Sequence, residues 1–166
     1  MELVAVVAMT EDRIIATEDD VPWDYPADVA QYKNRVAEHP VILGRTTYES
    51  MLPEPPGRRH IVLSRSFESV DSETATIARS PADALATAAE MDAETVYVLG
   101  GGEIYEAFLP EYDRMVISVV EYPIDHESCR RLVRFPEWDD AAWRKVSVDD
   151  SYDGFRIDFW ESADSH

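Results

Sequence analysis

An α/β fold on a mostly parallel sheet is what this 166-residue sequence predicts, and three observations lead there. Short, β-branched apolar runs recur without polar alternation, the pattern of strands covered on both faces. Segments with helical spacing separate them, as crossovers between parallel strands require. The chain closes on two alternating segments around Asp153-Gly154, which reads as an antiparallel hairpin at a sheet edge.

Leu3 to Met9 is the first buried strand. Residues 10–26 are polar, contain Pro22 and Pro26, and read as one long loop of the kind that carries function. Ala27 to Glu38 places Val29, Ala30, Tyr32, Val36 and Ala37 at helical spacing after Pro26. Val41 to Gly44 is a second strand, with a short helix near Thr46 to Met51. Pro53 to Gly57 is a loop, and Ile61 to Leu63 a third strand. Thr74 to Ala78 is a fourth. Ser80 then reads as a helix N-cap, Pro81 as the first helical residue and Asp83 as the acid facing the positive helix end, with the helix reaching about Met91. Thr95 to Leu99 is a strand leading through Gly100-Gly101-Gly102 into a helix near Glu103 to Leu109. Met115 to Val120, Trp143 to Val148 and Phe155 to Trp160 complete the strands. There is no internal repeat or low-complexity segment, and residues 1–166 read as a single domain.

Thirty-four acids against fifteen basic residues give a net charge of −19. Only Lys33 and Lys145 are lysines; the other bases are arginines. Such a chain does not hold nucleic acid through a general basic footprint, nor bind an anionic membrane by charge. Apolar residues make up 45% of it, so the charge belongs to a globule and not to a disordered tail. Abundant carboxylates with almost no lysine suit a cytoplasm rich in salt, where charge repulsion is screened. An ordinary acidic protein and an acidic decoy for basic partners are the alternatives; acid spread along the whole chain speaks against the decoy. Cys129 is the one cysteine, so no intramolecular disulfide forms. The first residues lack the basic segment of a secretion signal, and their apolar run falls short of the ~20 residues needed to span a bilayer. A cytoplasmic location is expected.

Several segments could carry chemistry. The triple glycine lies between a strand and a helix, where backbone N–H groups can approach a phosphate, although a plain tight turn explains it equally well. Arg45 directly follows one buried strand and Arg65 follows the next in Leu63-Ser64-Arg65-Ser66, both at the carboxyl edge of a parallel sheet where ligands bind. Either one taken singly reads as a surface arginine. Residues 39–66, however, hold four arginines and two acids, a locally positive window that suits an anionic ligand. Arg130, Arg131 and Arg134 form a second basic island without a ligand logic of its own. Asp28 opens a helix, either as a dipole-stabilised acid or as a pocket carboxylate for an amidine-like edge; Trp23 precedes it in the loop.

Taken together, Pro22–Asp28, Val41–Ser50, Pro56-Gly57-Arg58, Leu63–Arg65, Gly100–Tyr105 and Phe108–Pro110 resemble, in this order and spacing, the motifs of the dihydrofolate reductase family. The resemblance implies a three-layer sandwich with helices on both faces of the sheet. It also implies NADPH-dependent reduction of 7,8-dihydrofolate to tetrahydrofolate, serving one-carbon metabolism and thymidylate synthesis, by a protein expected to be monomeric and to use no metal. Hydride passes from nicotinamide C4 to pterin C6, and N5 takes a proton from water. Asp28 matches the carboxylate that binds pterin N3 and the 2-amino group, and Ser118 the hydroxyl that supports it. Trp23 matches the tryptophan that helps hold an active-site water. Val6, Val7, Val29, Tyr32, Thr47, Met51, Leu52 and Leu99 correspond to the substrate pocket, and Arg58 to the arginine gripping the α-carboxylate of the glutamate tail.

On the cofactor side, Arg45 and Arg65 correspond to contacts with the 2′-phosphate, favouring NADPH over NADH. Gly44, Thr46, Thr47, Leu63, Ser64 and Gly100, Gly101, Gly102, Glu103, Ile104 and Tyr105 surround the dinucleotide, with Ala8 and Ile15 on the nicotinamide side. The chain departs from the family in three places. Ala16 stands where glycine is common, in the loop segment Ile15 to Asp20. Glu103 stands where some members have arginine, implying weaker cofactor binding at low salt. Asp125 to Arg131 replaces the usual G-D-T-x-F-P segment before Phe135-Pro136, so loop closure is expected to differ. A pyrimidine reductase of riboflavin biosynthesis and a non-catalytic reductase-like binding protein are the alternatives. Trp23 with Asp28 and Arg58 argue against the first; Asp28, Arg45 and the triple glycine argue against the second.

Overall fold

The fold is described from a computed structural model, which covers residues 1–18, 21–66 and 72–163. Asp19 and Asp20, at the end of the acidic loop segment, lie outside the described residues. The elements run β1 (Glu2–Met9), β2 (Ile14–Thr17), α1 (Pro26–Val36), β3 (Pro40–Gly44), α2 (Arg45–Ser50), β4 (Arg59–Leu63), β5 (Ala75–Ala78) and α3 (Pro81–Glu90). They continue with β6 (Thr95–Gly100), α4 (Gly102–Ala107), β7 (Arg114–Val120), β8 (Leu132–Arg134), β9 (Trp143–Asp149) and β10 (Phe155–Ser162).

Among the described residues, eight strands form one sheet in the order β5-β4-β3-β6-β1-β7-β10-β9. Pairing is parallel from β5 through β7. It turns antiparallel at β10, which pairs with both β7 and β9. The two-residue period of each strand sorts its side chains into two cores. Val4, Val41, Leu43, Val62 and Val116 pack with Val36 of α1 and Tyr48 of α2. Leu3, Ala5, Ile42, Ile61, Val98 and Ile117 pack with Ala84 and Ala88 of α3 and Tyr105 of α4. Helices therefore cover both faces, and the unbroken apolar runs are explained.

The start of α3 is built as the sequence implies: the Asp83 N–H donates to Ser80 Oγ at 3.0 Å, with Pro81 in the first turn. One expectation is corrected. Residues 10–26 are not a single loop: Ile14–Thr17 pairs antiparallel with Leu132–Arg134, and neither strand was anticipated. Strands of four and three residues are too short to show a period, and each exists because its partner, more than a hundred positions away, supplies the hydrogen bonds. This ribbon lies against the carboxyl edge of the sheet, where Val133 meets Gly102.

Candidate active site

Six parallel strands end on one side, and residues at and beyond their ends enclose a cleft of about 1310 Å³. In open parallel sheets ligands bind at that edge. Of the residues singled out from the sequence, Val6, Val7, Ala8, Ile15, Trp23, Asp28, Val29, Tyr32, Met51, Leu99 and Ser118 line one part of it. Gly44, Arg45, Thr46, Thr47, Leu63, Ser64, Arg65, Gly101, Gly102, Glu103, Ile104 and Tyr105 line the rest. Three do not form its walls. Leu52 and Arg58 are exposed beyond it. Gly100 lies behind the wall, against the Tyr105 ring.

Asp28 enters the cleft from the first turn of α1 and is 6% exposed. A carboxylate that deep needs donors. Its Oδ1 accepts from Ser118 Oγ of β7 at 2.5 Å and from Gln31 Nε2, one helical turn on, at 2.8 Å. Beside it the Tyr32 phenol is pushed above its ordinary value, first by burial and then by the negative charge of Asp28. Trp23 is buried and held by the tilted ring of Tyr122, 6.0 Å away between centroids. The arrangement is a buried anion within apolar walls, suited to a planar ligand that presents adjacent N–H groups or positive charge.

The other part of the cleft is glycine- and arginine-rich. Gly100 has φ +109°, and a Cβ there would lie 2.8 Å from the Tyr105 ring, so glycine is required. That ring cannot retreat, because its hydroxyl donates to the Val6 carbonyl at 2.7 Å. Tyr105 thus forms the floor of the cleft with its polar atom committed, and burial drives its phenol far above the ordinary range. Gly101 is the open position: a Cβ would meet only Thr47 Oγ1, at 3.5 Å. Arg45 Nε pairs with Glu49 at 2.9 Å and its Nη1 donates to Ser66 Oγ at 3.2 Å, which holds the guanidinium across the gap between β3 and β4.

The cleft also includes residues not singled out beforehand. Arg79 directly follows the strand ending at Ala78, so the logic that marked Arg65 applied to it as well. Gln31 stands outside the cleft wall but bonds Asp28 from behind it, and was legible as the residue three positions after that aspartate. Arg131 and Val133 reach the cleft only through the β2–β8 ribbon, which brings part of the second basic island to the wall near Gly102 and Glu103. There the Glu18 carboxylate accepts from the Arg131 N–H at 3.0 Å, and this backbone bond is the main cause holding the acid below its ordinary value. Among the described residues no group of three or more His, Cys, Asp or Glu side chains is arranged to hold a metal ion, and no helix is long and apolar enough to cross a membrane.

Comparison with known proteins gives the family. The family profile "Dihydrofolate reductase" matches residues 2–160. Dihydrofolate reductase 1 of Haloarcula marismortui is 38% identical over 98% of this chain and 92% of its own length. Dihydrofolate reductase HdrB of Haloferax volcanii is 37% identical over 97% and 84%. The Bacillus subtilis dihydrofolate reductase is 30% identical over 86% and 80%. The first two come from halophilic archaea, in keeping with the acidic, lysine-poor composition. The chain belongs to the dihydrofolate reductase family and is an oxidoreductase that reduces dihydrofolate.

Proposed function

We propose that the protein carries out this reduction with NADPH, as one domain acting as a monomer in a salt-rich cytoplasm, and that Asp28 is the carboxylate its pterin substrate binds. The observation carrying the reading is the buried Asp28, hydrogen-bonded on one oxygen and set in an apolar wall. Its fixed negative charge stabilises a pterin as N5 gains a proton. The apolar side chains of Val6, Val7, Val29, Tyr32, Met51 and Leu99 hold the ring flat and exclude bulk water, and Trp23 retains the one water from which the proton comes.

The cofactor residues fit a dinucleotide phosphate. Gly101 leaves backbone open beside Thr47, as a diphosphate cradle requires. Arg45, Arg65 and Arg79, with the Ser64 and Ser66 hydroxyls, suit a ribose phosphate and favour NADPH over NADH. Arg131 offers a cation on the wall that also carries Glu103. When bound, the nicotinamide supplies the hydride that reaches pterin C6. Arg58, exposed and outside the cleft wall, is the residue assigned to the substrate's glutamate tail.

The test is NADPH oxidation with dihydrofolate from low to multi-molar salt, on wild type and Asp28→Asn. Dihydrofolate-dependent oxidation that falls by orders of magnitude in the variant supports the reading. Equal activity of the two proteins at neutral pH refutes the role of Asp28, and equal use of NADH refutes the cofactor assignment.

A further inference from the structure

Asp28 is held by a second donor besides Ser118. Residues 28, 31 and 35 lie on one face of α1, spaced three and four apart. Gln31 Nε2 donates to Asp28 Oδ1 at 2.8 Å and lies 3.5 Å from Ser118 Oγ. Gln31 Oε1 accepts from Arg35 Nη2 at 3.2 Å. An arginine only donates, so the Gln31 oxygen must face it and the amide N–H groups must face Asp28; the amide has one workable orientation. Arg35 is fixed in turn, its guanidinium 5.3 Å from the centre of the Phe159 ring on β10. Among the described residues its buried Nε has no hydrogen-bond partner.

We propose that Gln31 is a positioning residue for the Asp28 carboxylate, and that Arg35 acts through it by fixing the Gln31 amide. The final torsion of an aspartate is soft. Ser118 alone, a single donor on a rotatable hydroxyl, does not set the plane of the carboxylate. A second donor to the same oxygen from a different element does, and it leaves Oδ2 for the substrate. Both protein donors recorded among the described residues reach Oδ1. The proposal rests on Asp28 being the substrate carboxylate.

The experiment compares Gln31→Met, Arg35→Met, the double variant, Gln31→Glu and Asp28→Asn in steady-state kinetics with dihydrofolate and NADPH, at fixed high salt. Gln31→Met lowers kcat/KM for dihydrofolate about tenfold, the scale of one lost hydrogen bond to a charged group, and leaves the KM for NADPH within about twofold. Arg35→Met lowers kcat/KM about threefold in the wild type and has no further effect once Gln31 is replaced, because it acts only through that amide. In Gln31→Glu two carboxylates share one site and hold a proton between them, so the acid limb of the kcat/KM profile moves to higher pH. Four results overturn the proposal. They are an unchanged kcat/KM in Gln31→Met; an equal rise of KM for NADPH there; an equal cost of Arg35→Met in both backgrounds; and an unmoved profile in Gln31→Glu, which decides the matter alone should Gln31→Met fail to fold. Loss of activity in Asp28→Asn with any of these leaves the carboxylate reading standing and removes only Gln31. Full activity in Asp28→Asn removes both.

Discussion

Replacing each of the three consecutive glycines by alanine should give three different outcomes, because the added methyl meets different surroundings. At Gly100 the residue sits at φ +109°, and the new Cβ lies 2.8 Å from a Tyr105 ring pinned to the Val6 carbonyl. Left-handed backbone costs an alanine about 1–2 kcal/mol, and forced overpacking about 1–3 kcal/mol more. The expected loss is roughly 3–4 kcal/mol, a fall in Tm of roughly 6–16 °C for a chain of this size. At Gly102 the backbone is ordinary but the methyl lies 2.7 Å from Val133 Cγ1 on the short β8 strand. The ribbon can shift, so the loss is about 1–2 kcal/mol. At Gly101 the nearest atom is Thr47 Oγ1 at 3.5 Å, an ordinary contact, and stability should change by less than about 0.5 kcal/mol. Yet this methyl stands where a diphosphate would approach the backbone, and NADPH affinity should fall about tenfold or more. Urea unfolding at fixed multi-molar salt, paired with NADPH titration by fluorescence, measures both quantities. A Gly101→Ala variant that binds NADPH as wild type does, or that is destabilised as much as Gly100→Ala, would refute the assignment of these glycines.

Further outcomes follow from the same geometry. Ser118→Ala removes a hydrogen bond to a buried carboxylate and should lower kcat/KM for dihydrofolate about 10–100-fold while the KM for NADPH holds. Arg45→Gln should raise the KM for NADPH, leave that for dihydrofolate unchanged, and flatten the salt dependence of cofactor binding, since a screened charge contact is lost. The Asp12 carboxyl is held below its ordinary value of 3.8, chiefly by the Thr10 hydroxyl. A lowered folded-state value stabilises the protein above 3.8, and the benefit is lost as pH falls through the lower value. The gap in urea midpoint between wild type and Thr10→Ala should therefore shrink as pH drops below about 4. With a net charge of −19, the Tm should rise steadily from low to molar salt as repulsion is screened.

Local rules were enough for much of this molecule. Val41 to Gly44 reads as a buried strand because every side chain in it is apolar, and Ser80-Pro81-Ala82-Asp83 starts a helix because its cap chemistry needs no distant partner. The same rules marked Arg45 and Arg65, which follow strand ends in the chain itself. They passed over Ile14–Thr17 and Leu132–Arg134, whose strand character exists only in their pairing with each other. Arg131 was accordingly left without a purpose, since its position in the cleft depends on that ribbon.

The sequence by itself determined the alternating α/β order, the acidic exterior and the residue types at the cleft, because apolar period, caps and charge are properties of neighbours along the chain. Tertiary structure decided what those residues do to one another. Asp28 and Ser118 lie ninety positions apart, and only the placement of α1 beside β7 puts them in hydrogen-bond contact. Gly100, Gly101 and Gly102 are alike in the chain and become a required turn, an open position and a packing contact only through Tyr105, Thr47 and Val133. Packing brings distant side chains within a few ångströms, where sterics and hydrogen bonding act, and those distances have no counterpart in the order of the residues.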